Sequence, residues 1–288
     1  MNKNKKYCSP KSLEENNGSD SCLNRKLLEK LAKILNENPN CDTIDCKIAI
    51  DNLYDNVCSN MSKISNCKSE YCWITVQDIV DKLKSDEIDE FKDYFRPQLP
   101  EEWKDDKHAW LSTTDIDDVL EQYDNAHNDF TYLGAHPIDA HKCSVSPEVC
   151  KISIPDLLKK NQHKVGIVFN TDYSDGEGEH WVSFYLDLKG DNRDGIPSAY
   201  YFDSAADRPQ KEIFKLVKKL KKQAKKKDIK LEFLYNDIQH QRGESECGVY
   251  CMYFITKMLK GINFKKFVKD VKKDDYMNKY RKIFYIDN

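Results

Sequence analysis

The sequence predicts an α+β fold: a mixed central β-sheet flanked by helices, with a cysteine at the start of one helix, and a helical N-terminal region ahead of it. Three observations carry this. Strand-like apolar or alternating runs gather between residues 165 and 235, whereas the first hundred residues carry only helical spacing. Two prolines in Arg96-Pro97-Gln98-Leu99-Pro100 separate these textures, because proline lacks an N–H and drives its predecessor out of the helical region. Finally, a polar loop at 241–246 runs into Cys247 and then into Val249, Cys251, Met252, Phe254, Ile255, Met258 and Leu259, whose spacing marks a buried helical face.

Composition bounds the rest. The 288 residues suffice for one large domain or a core domain with a smaller companion, and 39% hydrophobic with 33% charged residues describes a globular chain with a highly charged surface. A net charge of −3 gives no sign of a general nucleic-acid binder. No run approaches the roughly 18–20 apolar residues of a membrane span. The start, Met1-Asn2-Lys3-Asn4-Lys5-Lys6, has no apolar run behind it, so no secretory signal is expected. Of eleven cysteines, seven lie in the first 72 residues, namely Cys8, Cys22, Cys41, Cys46, Cys58, Cys67 and Cys72. The odd count without a signal argues against a secreted disulfide framework. The absence of any C-x-x-C pair, and of histidine in the first 100 residues, argues against zinc. Reduced thiols in a reducing compartment, with no metal, are the expectation.

Taken in order, residues 1–20 are polar and expected to be mobile. Leu27, Leu28, Leu31, Ile34 and Leu35 predict a helix over 23–35 that stops before Pro39. A second helical pattern runs through Ile48, Ile50, Leu53, Tyr54 and Val57. A third begins near Trp73 and carries Val76, Ile79, Val80 and Leu83, and a short acidic helix follows to Phe95. Beyond the prolines, Ser112-Thr113-Thr114 and the acids after it predict a capped helix start. A loop-rich passage with Gly134 and Pro137 and a short helix near 154–158 come next. Strands are expected at 165–169, 180–186, 199–203 and 230–235. The stretch 211–227, from Lys211 to Lys227, sets Ile213, Leu216, Val217 and Leu220 on one face and nine lysines elsewhere. It reads foremost as an amphipathic helix with a solvated side, and second as a basic surface for DNA or an acidic partner. Residues 264–288 read as a closing helix and a tail.

Four residues define candidate chemistry. Cys247 stands where a loop becomes a helix, and the unpaired N–H groups and dipole of a helix start favour a thiolate. His180 opens a strand, Asp203 closes the next one, and Gln241 lies six residues before Cys247. An imidazole can hold a thiol as thiolate, a carboxylate can fix that imidazole, and an amide can donate to an oxyanion. Each residue alone has an ordinary structural reading: a strand-end histidine, a turn aspartate, loop polarity, a buried thiol. Together they supply every part of an acyl-transfer site.

The order His180-Trp181, Phe202-Asp203-Ser204, then Gln241 through Cys247-Gly248 resembles adenain and the SUMO-specific (ubiquitin-like-protein) cysteine proteases. Papain-type enzymes place cysteine before histidine. Gly166-Ile167-Val168-Phe169-Asn170-Thr171-Asp172, Gly178-Glu179-His180-Trp181, Trp110-Leu111-Ser112 with Asp115-Ile116-Asp117, and Cys247-Gly248-Val249-Tyr250 resemble in particular the branch in large DNA viruses that matures virion core polyproteins. The likeness covers about 103–262; Cys8-Ser9-Pro10 and Ser21-Cys22-Leu23 resemble that branch loosely.

The resemblance implies a papain-related fold with a helical N-terminal arm region at 1–100 and a cysteine protease catalytic domain at 101–288. It implies Cys247 as nucleophile, His180 as base, Asp203 as its orienting carboxylate and Gln241 as oxyanion donor beside the Cys247 N–H. Trp181 and Trp110 would shape a narrow substrate channel that prefers small residues such as Gly-Gly. Glu246 departs from the aspartate usual in SUMO proteases, and Cys251 reads as core. No cofactor is implied. The substrate would be a protein, either a viral polyprotein in host cytoplasm and virion or a ubiquitin-like modifier. By analogy with adenain, the 211–227 helix is a candidate surface for a DNA or peptide activator. An inactive binding module of the same fold and, less favoured, a transacylase remain as alternatives.

Overall fold

The computed structural model describes residues 7–16 and 20–287, and divides the chain into one unit of Met1–Leu99 with Ile283–Asn288 and another of Pro100–Lys282. Residues 1–6 and 17–19, for which mobility was expected, lie outside the described residues.

The first unit is helical. Its helices are α1 (Pro10–Glu15), α2 (Arg25–Asn36), α3 (Ile50–Ile64), α4 (Glu70–Trp73), α5 (Gln77–Val80) and α6 (Ser85–Lys92). Leu27, Leu28, Leu31 and Leu35 of α2 meet Leu53, Val57 and Met61 of α3 in one core with Trp73, Ile79 and Phe91. The segment 7–16 is ordered, contrary to expectation: Ser9 caps α1, and Cys8 is bonded to Cys22. The single helix expected from Trp73 is two short ones. Ile74, Thr75 and Val76 between them are all β-branched, and such side chains crowd a helical turn.

Reduced thiols are also corrected. Cys8–Cys22, Cys67–Cys72 and Cys143–Cys150 are disulfides, with Cα separations of 5.0, 5.5 and 5.0 Å that suit bridging; Cys41, Cys46, Cys58, Cys247 and Cys251 are free. Cys67–Cys72 and Cys143–Cys150 are five and seven residues apart, so local turns bring these sulfurs together, which a count of cysteines does not show.

The second unit is built on five strands: β1 (Phe130–Pro137), β2 (Lys164–Asn170), β3 (Trp181–Asp187), β4 (Ser198–Phe202) and β5 (Glu232–Tyr235). They lie side by side in chain order. The outer pairs are parallel and the inner pairs antiparallel, so the sheet is mixed as expected. Strand β1 falls in the passage read as loop. Gly134, at φ +93°, and the register shift around it break the alternation, and Pro137 is tolerated because it ends an edge strand.

Around the sheet stand α7 (Thr113–Ala126), α8 (Pro147–Cys150), α9 (Ile154–Lys159), α10 (Lys211–Lys225), α11 (Cys247–Leu259), α12 (Phe264–Lys269) and α13 (Asp274–Phe284). Val165, Ile167, Phe169, Val182, Phe184, Leu186, Ala199 and Tyr201 pack with Leu157 of α9 and Ile213, Leu216 and Leu220 of α10. On the opposite face Phe254 of α11 contacts Tyr185 and Phe202. The two-residue period of the strands thus separates two helical layers. Helix α11 is apolar nearly all round and buried from Cys247 through Thr256, which fixes its first residue against the sheet.

Candidate active site

The ladder brings His180 and Asp203 to one end of the sheet. His180 directly precedes β3, Asp203 directly follows β4, and the strands are antiparallel with Ser183 opposite Phe202. The His180 carbonyl accepts from the Thr171 N–H at 2.7 Å, extending the β2–β3 pairing to the histidine itself. Its Nε2 lies 2.8 Å from Asp203 Oδ1. The imidazole also hydrogen-bonds Cys247, and with Nε2 on the carboxylate, Nδ1 is the nitrogen left for sulfur. Burial pulls the imidazole pKa down, but the hydrogen bonds and charges of Asp203 and then Cys247 outweigh it and push it up to about 10.

Asp203, 1% exposed, is clamped by a residue the sequence reading missed. Asn236, just past β5, accepts from the Asp203 N–H at 2.9 Å and donates from Nδ2 to the Asp203 carbonyl at 2.6 Å. The Ala205 N–H donates to Asp203 Oδ1 at 2.8 Å. The available signal was a polar residue immediately after a strand, the same position that drew attention to Asp203.

Cys247 is buried at the first position of α11. Glu246, at the N-cap, makes no side-chain cap; its carboxylate instead accepts from Ser245 and, at 3.0 Å, from Asn278 Nδ2. The helix start is therefore left without a side-chain lid. Gly248 is closely packed, since a Cβ there would stand 3.0–3.3 Å from Leu111 and Ile116 side-chain atoms. Cys251 is buried in the core, and burial pushes its thiol well above the usual value.

Gln241 is buried with its amide fixed at both ends: Ser204 Oγ donates to Oε1 at 2.6 Å and Nε2 donates to the Gly243 carbonyl at 2.9 Å. That sense leaves the second Nε2 proton for another acceptor. Trp181 is buried and donates from Nε1 to the Leu111 carbonyl at 3.0 Å, whereas Trp110 is 49% exposed. Both line a cleft of about 370 Å³ with Leu111, Asn170, Asp172 and Gly178; Cys247, His180 and Asp203 do not line it, although His180 adjoins Trp181 in the chain. Lys215, Lys218, Lys219 and Lys222 of α10, with Lys226 just past its end, border one surface groove. Among the described residues no helix is long and apolar enough to cross a membrane, and no cluster of His, Cys, Asp or Glu is arranged to hold a metal ion.

Fold and relatives place the chain with the SUMO-protease-like cysteine proteases. The family described as YopJ Serine/Threonine acetyltransferase matches residues 84–287, and the chain belongs to it. A protein of Acanthamoeba polyphaga mimivirus named as a thiol protease is 28% identical over 298 residues, 96% of this chain and 92% of that one. A SUMO-1 cysteine protease of African swine fever virus is 32% identical over 126 residues, 43% of this chain and 45% of the relative. The crystal structure of the African swine fever virus pS273R protease shares the fold, with a TM-score of 0.71 at 20% identity over 98% of this chain and 96% of that one.

Proposed function

We propose that the chain is a thiol endopeptidase that cleaves viral structural polyproteins after small residues, at Gly-Gly-type sites, in virion maturation. The observation that carries this is the imidazole of His180 engaged by Asp203 and by Cys247 at once. Cys247 passes its proton to His180 and its sulfur attacks the scissile carbonyl. The resulting oxyanion takes hydrogen bonds from the free Nε2 proton of Gln241 and the backbone N–H of Cys247. The C–N bond breaks as His180 returns the proton to the leaving amine. Water, deprotonated by His180, then hydrolyses the thioester and the thiol is restored. Asp203 holds the ring in the orientation this requires. Trp181 and Trp110 wall the channel so that residues without bulk pass it. The near full-length similarity to the mimivirus thiol protease supports a viral setting, in host cytoplasm and virion.

A second reading, processing or deconjugation of a ubiquitin-like modifier, is favoured by the relative named as a SUMO-1 protease. The family description favours a third, in which Cys247 takes an acyl group from an acyl-CoA, releasing the CoA thiol, and a serine or threonine hydroxyl instead of water resolves that thioester and restores the cysteine. One set of incubations separates them: a Gly-Gly-containing viral polyprotein, a SUMO-type fusion, and a protein substrate with an acyl-CoA. The proposal expects Cys247-dependent cleavage of the polyprotein. Cleavage of the fusion alone, acyl transfer alone, or no Cys247-dependent labelling by a thiol-directed electrophile would each replace it, the last by a binding module. DNA or an acidic peptide binding the α10 lysines would raise the cleavage rate, and neutralising Lys218 and Lys222 would remove that rise.

A further inference from the structure

The hydrogen bonds that orient Gln241 continue outward to α13, a segment that read in sequence only as a closing helix. The carbonyl that receives Gln241 Nε2 belongs to Gly243. The N–H of Gly243 donates to Asp274 Oδ2 at 2.9 Å, and the N–H of Arg242 donates to the same carboxylate at 3.0 and 3.2 Å. Tyr250, within the helix that Cys247 begins, shares its one hydroxyl proton between the Lys272 carbonyl at 2.7 Å and Asp274 Oδ1 at 3.1 Å. One carboxylate therefore ties the loop carrying the amide to the helix carrying the thiol. A turn and two turns further along α13 the pattern repeats. Asn278 Nδ2 donates to Glu246 Oε1 at 3.0 Å, and Arg281 donates to the Ser245 carbonyl at 2.9 Å and the Ala109 carbonyl at 3.1 Å. Residues 274, 278 and 281 share one helical face, so α13 grips loop 242–246 along its length.

We propose that Asp274 is a positioning residue for the oxyanion donor: by fixing the two peptide groups that lead up to Gly243 it places the Gly243 carbonyl, and so sets where the second Nε2 proton of Gln241 points. This rests on the reading of Gln241 as that donor. Both N–H groups that Asp274 receives are from backbone, so its carboxylate acts on the loop's path and touches no reacting atom.

The test uses the full chain with Asp274→Ala, Asp274→Asn, Gln241→Ala and the double variant Asp274→Ala/Gln241→Ala. Three quantities are read: melting temperature, the Cys247-dependent rate of alkylation by iodoacetamide, and kcat and KM on a Gly-Gly-aminomethylcoumarin amide and on p-nitrophenyl acetate. Alkylation displaces iodide at a saturated carbon and forms no oxyanion, so it reports the thiolate alone. Misplacing an oxyanion donor by about 1 Å is expected to lower kcat by about 10–100-fold in Asp274→Ala, with KM and alkylation within about two-fold of the parent. In the Gln241→Ala background the same change should cost less than about three-fold, because the donor is already gone. If Asp274→Ala fails to fold, Asp274→Asn, which keeps an acceptor but opposes a backbone donor with its own NH₂, carries the same comparison. Wild-type kcat in the folded variant, or an equal loss with and without Gln241, overturns the proposal while leaving Gln241 in its role. Wild-type kcat in Gln241→Ala overturns the reading beneath it.

Discussion

Each unit of this molecule buries a carboxylate, and the two are put to different ends. In the helical unit, Glu70 is 5% exposed and accepts from the Ser21 hydroxyl and from the Cys22 N–H at 2.8 Å. Burial pushes its pKa up to about 7 against the hydrogen bonds from Cys22, Ser21 and Leu23 that pull it down. All its partners belong to the fold, and it fastens the segment bridged by Cys8–Cys22. In the sheet unit, Asp203 is as deeply buried but turns one oxygen to His180. A buried acid therefore does not mark a site. A site is marked when the acid's partner is itself titratable and faces a third reactive group.

The largest effect expected from this contrast is on Cys247→Ser. Amide hydrolysis should fall by about three orders of magnitude or more, as when the nucleophile of a triad is removed. Cys8→Ser, which opens a disulfide in the other unit, should leave kcat within about two-fold while lowering the stability of its own unit by about 2–3 kcal/mol. Comparable kcat losses from both would erase the distinction between the units.

Next comes Asp203→Asn, expected to cost about 10²–10⁴-fold in kcat, since an amide no longer fixes the ring or stabilises the imidazolium. Its pH signature is directional. With Asp203 intact the imidazolium persists until pH passes about 10, so the alkaline limb of the rate profile lies there, and the variant should bring that limb down. The same group adds stability that is full below its unfolded value of about 6.5 and is lost as pH rises towards 10.

A smaller effect is expected from Gly248→Ala. The new Cβ meets Leu111 Cβ at 3.1 Å, an atom that cannot swing aside, so overpacking of about 1–2 kcal/mol should outweigh the better helix propensity. Differential scanning calorimetry should show the loss in the sheet unit alone. Smallest is Glu70→Gln. Between about pH 4.5 and 7 the folded unit keeps a proton that the unfolded chain has released, so its stability falls as pH rises through that window. Glutamine should flatten the slope, and an unchanged slope would assign it to another group.

Much of the sheet unit was legible because its signals are local. The apolar or alternating runs of β2 to β4 and the all-apolar face of α11 follow from residues within a few positions of one another. The meeting of His180 and Asp203 was legible too, since each sits at a strand end and adjacent antiparallel strands bring such ends together. What escaped depends on distance along the chain or on permissive residues. Strand β1 hides behind Gly134 and Pro137, which more often mark turns. Asn236 and Asp274 act through hydrogen bonds to backbone, which leave no periodicity to detect. The spacing of Asp274, Asn278 and Arg281 does lie on one face of a helix, but a polar stripe on a charged helix ordinarily reads as its solvated side. The disulfides were misjudged because whole-chain cysteine arithmetic says nothing of two thiols set on one local turn.

The grip of α13 also has an order in time. His180, Asp203, Gln241 and Cys247 all precede the helix that holds the loop between the last two. A chain made from its N-terminus completes those bonds, and the packing of Tyr253 of α11 on Tyr276 and Tyr280, only once α13 has been synthesised and has docked. A nascent or prematurely ended chain would thus carry the thiol and its imidazole without a fixed loop, a built-in delay between having the parts and having them aligned.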